Sequence, residues 1–171
     1  MKKQILFAGV AGISIAAALA AKSRNDLVGR RSRAQVAYAA LQEAFTNRRE
    51  WVLPLLTSVK GTFSEADYER QSAILTALIE PNLHVGSEAV LTRALPKFFE
   101  LASHYEALGS NRNFLEMQEQ LEGCAAAILA ARRYYKKLAA EYNAARNQAP
   151  AGLVARLTGL LPEEGMDIGE D

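Results

Sequence analysis

Apolar positions along the chain recur at helical spacing. Leu27, Ala34, Tyr38, Leu41 and Phe45 are separated by seven, four, three and four residues, which predicts one stripe on a helix from Asn25 to about Arg49. Pro54 belongs in the first turn of a second helix, where proline is tolerated. The stripe Val52, Leu55, Leu56, Val59, Phe63 and Ala66 carries this helix on to Leu78 and Ile79, with a bend at Gly61 and Thr62 and a stop at Pro81 and Asn82. A third helix is expected to be capped by Ser87, next to Glu88, with Val90, Leu91, Ala94, Leu95, Phe98, Leu101, Ala102 and Tyr105 as its stripe. Pro96 either kinks that helix or starts its better half. The fourth helix, capped by Asn111 or Asn113, has the clearest pattern. Phe114, Leu121, Ile128, Tyr135 and Tyr142 stand at every seventh position, with Met117, Cys124, Ala131, Leu138 and Ala145 three residues after each. That is a bundle seam whose second row is mostly small. The fold class expected is all-α: an antiparallel four-helix bundle with long helices, preceded by an N-terminal transmembrane helix.

The transmembrane expectation rests on Ile5 to Ala21, an uncharged run between Lys2, Lys3 and the pair Lys22 and Arg24. It reaches the lower end of spanning length, about 17 residues. The alternative is a cleaved secretory signal, with Ala18, Leu19 and Ala20 as the A-x-A-like site. Basic residues cluster after the run at Lys22, Arg24, Arg30, Arg31 and Arg33, so the positive-inside rule leaves a single-pass chain with its bundle in the cytoplasm. The same cluster suits anionic headgroups, or else forms an ordinary solvated helix face. The organisation expected is an anchor over residues 1–24, a bundle over 25–149, a short amphipathic segment over 150–161 and an acidic disordered tail over 162–171. In the amphipathic segment Leu153, Leu157, Leu160 and Leu161 share one face, which docks on the bilayer or a groove, or extends the bundle packing.

Composition narrows the functions open to such a chain. Among 171 residues, 20 Lys and Arg stand against 19 Asp and Glu, so there is no global basic field of the kind nucleic-acid binding uses, and no nucleic-acid partner is expected. The lone Cys124 forms no intramolecular disulfide and supplies no CxxC metal site, and as a seam residue it reads as a buried small hydrophobe. His84 and His104 begin no i, i+4 metal pair, and no phosphate-binding glycine loop or nucleophile elbow occurs. The expectation is no enzyme, with no catalytic, cofactor or metal site and no identified small-molecule substrate.

Several stretches resemble the LemA family. Arg48, Arg49, Pro54, Lys60 and Gly61 match its RRxDLIPNLVxxVKG stretch, Asn113, Phe114, Leu121, Glu122 and Gly123 its NFLxLQxELEG, and Arg132 and Tyr135 its ARxxYN. Tyr142, Asn143 and Pro150 follow at matching spacing, so the likeness covers about residues 25 to 161. Leu55, the run Cys124 to Ala127 and Lys136 depart from it, where the family has polar residues. The resemblance implies a bacterial membrane-anchored helical bundle without a defined biochemical role; a relative in magnetotactic bacteria takes part in forming magnetosome membranes. Arg48 and Arg49 read as complements to the negative end of the first helix, and Glu122 as a partner of Arg132 or Arg133 across helix faces, or all of these as a partner surface. The expected function is a scaffold in the bacterial inner membrane that self-associates or organises membrane, with lipid and a protein partner or further copies as its contacts. The alternatives are an accessory regulator of another envelope protein and an exported soluble bundle.

Overall fold

A computed structural model describes the backbone of residues 2–80 and 85–163 and the side chains of residues 17–80 and 87–163. Within these residues the chain is helical, and no strand occurs. The helices are α1 (Lys2–Glu50), α2 (Val52–Val59), α3 (Glu65–Ile79), α4 (Val85–Ala102), α5 (Arg112–Asn147) and α6 (Ala151–Leu157), with a 3-10 turn at Glu106–Ser110. The apolar run Ile5 to Ala21 has a helical backbone as part of α1, but its side chains up to residue 16 lie outside the described residues, as do His84 and the tail from residue 164. Among the described residues no helix is long and apolar enough to cross a membrane.

Two compact units divide the chain, one from residues 1–39 and 133–165, the other centred on residues 40–132. The second unit holds the larger core. Val52, Leu55, Leu56 and Val59 of α2 meet Leu75 of α3, Leu91, Leu95 and Phe98 of α4, and Phe114 and Leu121 of α5. Phe63 stacks between Phe98 and Tyr105, with ring centroids 5.5 and 4.7 Å away. Leu41 and Phe45 of α1 close on Ile128 of α5. In the first unit Leu27 of α1, Tyr142 of α5 and Ala155 of α6 form a buried cluster, and the rings of Tyr38 and Tyr135 lie 5.4 Å apart.

The seam read from the fourth stripe is the one that is buried: Phe114, Leu121, Ile128, Tyr135 and Tyr142 are each at most 5% exposed. Asn111 is the cap, its Oδ1 accepting from the Phe114 N–H at 3.2 Å while its amide donates to the Ser58 carbonyl.

Several details differ from the sequence reading. The second helix is two helices. Gly61 takes φ +85°, a left-handed conformation costly for any residue with a Cβ, which ends α2 and turns the chain. Ser64 then starts α3, accepting from the Asp67 N–H, and Ala66 is exposed. Ser87 is no cap, because α4 already begins at Val85 and Ser87 is buried inside it. Val90 is exposed, and Pro96 sits within α4 on the exposed side. The opposite face of α4 buries Leu91, Leu95 and Phe98, and such packing carries most of a helix's stability, enough to tolerate a lost backbone hydrogen bond.

The seam carries a direct prediction. Ile128→Asp strands an unpaired carboxylate in the core and is expected to destabilise the chain by about 3 kcal/mol or more. Lys137→Asp, on an exposed position of the same helix, is expected to change stability by less than about 0.5 kcal/mol. Thermal melting of the two variants checks this, and equal midpoints contradict the seam.

Candidate functional site

A dense polar arrangement lies where α1 meets α4. Arg48 is 2% exposed, and its guanidinium donates to the Glu88 carboxylate at 2.5 Å, to the Glu88 carbonyl at 3.1 Å and to the Thr92 hydroxyl at 2.8 Å. Arg49 pairs with the other oxygen of the same carboxylate. Glu88 is 3% exposed and thus serves two arginines from inside the core. Burial pushes the Arg48 guanidinium below its ordinary value, opposed by its hydrogen bond and charge attraction to Glu88. So these arginines do more than complement the end of α1: Arg48 is a buried internal tie.

Other motif residues also face inward. Phe114 and Leu121 belong to the core, and Gly61 makes the turn described above. The Tyr142 hydroxyl donates to the Leu161 carbonyl at 2.8 Å. Asn143 clasps the Glu163 backbone from both sides, donating to its carbonyl at 2.7 Å and accepting from its N–H at 3.1 Å. The Glu163 carboxylate accepts from Arg31 at 2.8 Å and from Gln35. Pro162 and Glu163, expected in a disordered tail, are therefore placed, and Glu163 is held. That hydrogen bond also raises the Arg31 pKa above its ordinary value.

Some motif residues are exposed. Pro54 lies in the first turn of α2, Lys60 at its end, Asn113 in the first turn of α5 and Pro150 just before α6. Glu122 does not reach across to Arg132 or Arg133 but accepts from Gln118 one turn earlier, at 3.0 Å. Arg132 is half-buried, and its Nε lacks a hydrogen-bond partner. The basic flank divides: Lys22, Arg24 and Arg33 are exposed, Arg30 pairs with Asp26 one turn back at 2.9 Å, and Arg31 turns inward to Glu163. In α6 the buried face is Val154 and Ala155. Leu160 packs against it, whereas Leu153, Leu157 and Leu161 stay exposed, so the four leucines do not share one environment.

Concave surface in the second unit is mostly apolar. A cavity of about 270 Å³ is lined by Leu95, Pro96, Phe99, Leu121 and Ala125, with Arg48, Thr92 and Glu122 at its sides. A shallower groove of about 410 Å³ runs between α1 and α5, lined by Ala40, Ala44, Gly123, Cys124 and Ala127 with Glu43, Asn47 and Trp51. Among the described residues no group of three or more His, Cys, Asp or Glu could hold a metal ion.

Sequence reasoning missed Glu88 as a counterion and Glu163 as a latch. The first was detectable. Arg48 continues the α1 stripe three residues after Phe45, and Glu88 precedes Leu91 of the α4 stripe by three, so both charges occupy core positions. Glu163, within an acidic, glycine-containing tail, had no such signal.

A LemA family model matches residues 37–171, leaving the apolar run and the basic flank outside the matched range. No curated protein matches the chain.

Cys124 gives this region a readout. Burial raises its thiol pKa above the ordinary value, while nearby Arg48 pulls it down. Its thiolate fraction near pH 8.5 is therefore below that of a free thiol, and alkylation of this half-buried cysteine by iodoacetamide is expected to be slower than that of glutathione. A matching rate contradicts the placement.

Proposed function

Since the chain belongs to the LemA family, we propose that it is a non-enzymatic scaffold: a helical bundle held at the bacterial inner membrane by the run Ile5 to Ala21, offering a helix-binding groove to further copies of itself. The family motifs support this reading by their positions. Arg48, Phe114, Leu121, Tyr142 and Asn143 hold helices together, which leaves exposed motif residues such as Gly123 for contact.

The observation that carries the reading is Gly123. Glycine within a helix costs about 0.5–1 kcal/mol relative to alanine. A Cβ added at Gly123 meets nothing within 4 Å, so nothing among the described residues requires the side chain to be missing. The residue lies in the groove with Ala40, Ala44 and Ala127, where its small size suits the approach of a backbone from outside. Glu43 and Glu50 on the same groove favour a partner helix with basic residues, and α5 itself carries Arg133, Lys136 and Lys137 on exposed positions.

Light scattering of the detergent-solubilised full chain tests this. The wild type is expected above monomer mass. Gly123→Leu fills the groove and is expected to shift the chain toward monomer while its melting temperature holds or rises. A wild type that is monomeric in every mild detergent contradicts self-assembly. A Gly123→Leu chain of unchanged mass contradicts the groove.

A further inference from the structure

The outward side of α5 carries charges that the chain does not use internally. Arg112, Glu116, Gly123, Ala130, Lys137 and Glu141 follow at separations of four and seven residues, so they share one side of the helix, and all are exposed. Among the described residues none of these charges, nor Arg133 beside them, takes part in an ion pair.

Read backwards, the same side repeats its pattern with the signs exchanged. Turning a second copy end for end about the midpoint between Ala126 and Ala127 brings Arg112 opposite Glu141, Glu116 opposite Lys137 and Gly123 opposite Ala130. A two-fold axis makes each of these pairs twice. Gln120 falls opposite Arg133 of the partner subunit. Gln120 also lines the groove that holds Glu50, so that arginine arrives where a further carboxylate waits. Near the axis the side chains are small, which lets two backbones come close. A parallel pairing sets each residue against itself, Glu116 on Glu116 and Lys137 on Lys137, and like charges oppose it. Charge complementarity therefore selects a second copy as the occupant and antiparallel as its direction.

That direction also orients the anchors. Leu27 precedes Tyr38 along α1, whereas their contacts Tyr142 and Tyr135 come in the reverse order along α5, so the two helices run oppositely. Reversing α5 reverses α1, and the Ile5 to Ala21 runs of two paired copies leave in opposite directions. We propose that α5 pairs antiparallel with α5 of a second copy and so joins two chains anchored in facing membranes. The inference rests on the self-association and the anchor of the proposed function, to which it adds the pairing face, its direction and the membranes joined.

The test uses the full chain in a Cys124→Ala background, oxidised in mild detergent. Ala127→Cys, next to the axis, is expected to give a disulfide-linked dimer. Glu116→Cys alone is expected to stay unlinked, because its two copies lie about 32 Å apart along the axis at about 1.5 Å per residue. Glu116→Cys combined with Lys137→Cys is expected to link. Glu116→Lys is expected to weaken the dimer about tenfold, and adding Lys137→Glu to restore it. Vesicles carrying the wild type are expected to cluster, and those carrying Glu116→Lys to stay dispersed. Linking of Glu116→Cys alone, failure of the charge exchange to restore affinity, or an unlinked Ala127→Cys chain above monomer mass overturns the antiparallel face and leaves self-association standing. A monomeric wild type overturns self-association, and the α5 pair with it. A linked dimer in detergent that leaves vesicles dispersed overturns the joining of facing membranes.

Discussion

Removing a guanidinium and a carboxylate from water costs several kcal/mol per ion, and their mutual attraction repays this only when geometry and additional hydrogen bonds are good. The pair of Arg48 and Glu88 meets that condition in part, through several bonds, while Arg48 Nε and Glu88 Oε1 are buried without a hydrogen-bond partner. Glu88 accepts through both its carboxylate and its backbone carbonyl, Thr92 accepts from the guanidinium and donates to the same Glu88 carbonyl, and Arg49 covers the remaining carboxylate oxygen. These partners come from α1 and from consecutive turns of α4. A slide of α4 by one turn along α1 would strand a buried charge, so the pair fixes register where Leu41, Phe45 and Leu91 could tolerate other pairings. Helix packing in the second unit depends on that register.

Much of this architecture was written in periodicity. The α5 seam was readable because Phe114, Leu121, Ile128, Tyr135 and Tyr142 repeat without interruption, and the buried α1 positions Leu27, Ala34, Leu41 and Phe45 were readable for the same reason. The break between α2 and α3 was only half legible. Gly61 and Thr62 marked a bend, but whether a glycine bends or ends a helix depends on the φ that its neighbours impose. The Arg48 and Glu88 pair was hidden by the assumption that charges lie outside. The segment after Pro150 was half legible: one leucine face was expected to dock on the bilayer or a groove, or to extend the bundle packing, whereas Ala155 is what fits against Leu27 and Tyr142, Val154 is buried, and Leu153, Leu157 and Leu161 are exposed.

In the first unit, a polar latch plays the part that the ion pair plays in the second. Asn143 holds the Glu163 backbone while Arg31 and Gln35 hold its carboxylate, and Tyr142 ties down Leu161. The segment after α6 is thereby secured at both its backbone and its side chain, which keeps α6 against α1 with its leucines outward. Motif residues that serve these internal ties, together with a groove that faces outward, are consistent with the proposed scaffold.

The claim that Arg48 acts as an internal tie is tested most directly by a double-mutant cycle on Arg48 and Glu88, read by denaturant unfolding of the full chain in detergent. Glu88→Met leaves the Arg48 guanidinium buried without its carboxylate and is predicted to destabilise by about 3–5 kcal/mol, and Arg48→Met, which leaves Glu88 buried with Arg49 alone, is predicted to destabilise by less. The double variant replaces the pair with apolar side chains and is predicted to lose much less than the sum, with a coupling of about 2 kcal/mol or more. Additive losses, or single variants as stable as the wild type, would contradict the account and return Arg48 to the list of residues available to a ligand or partner.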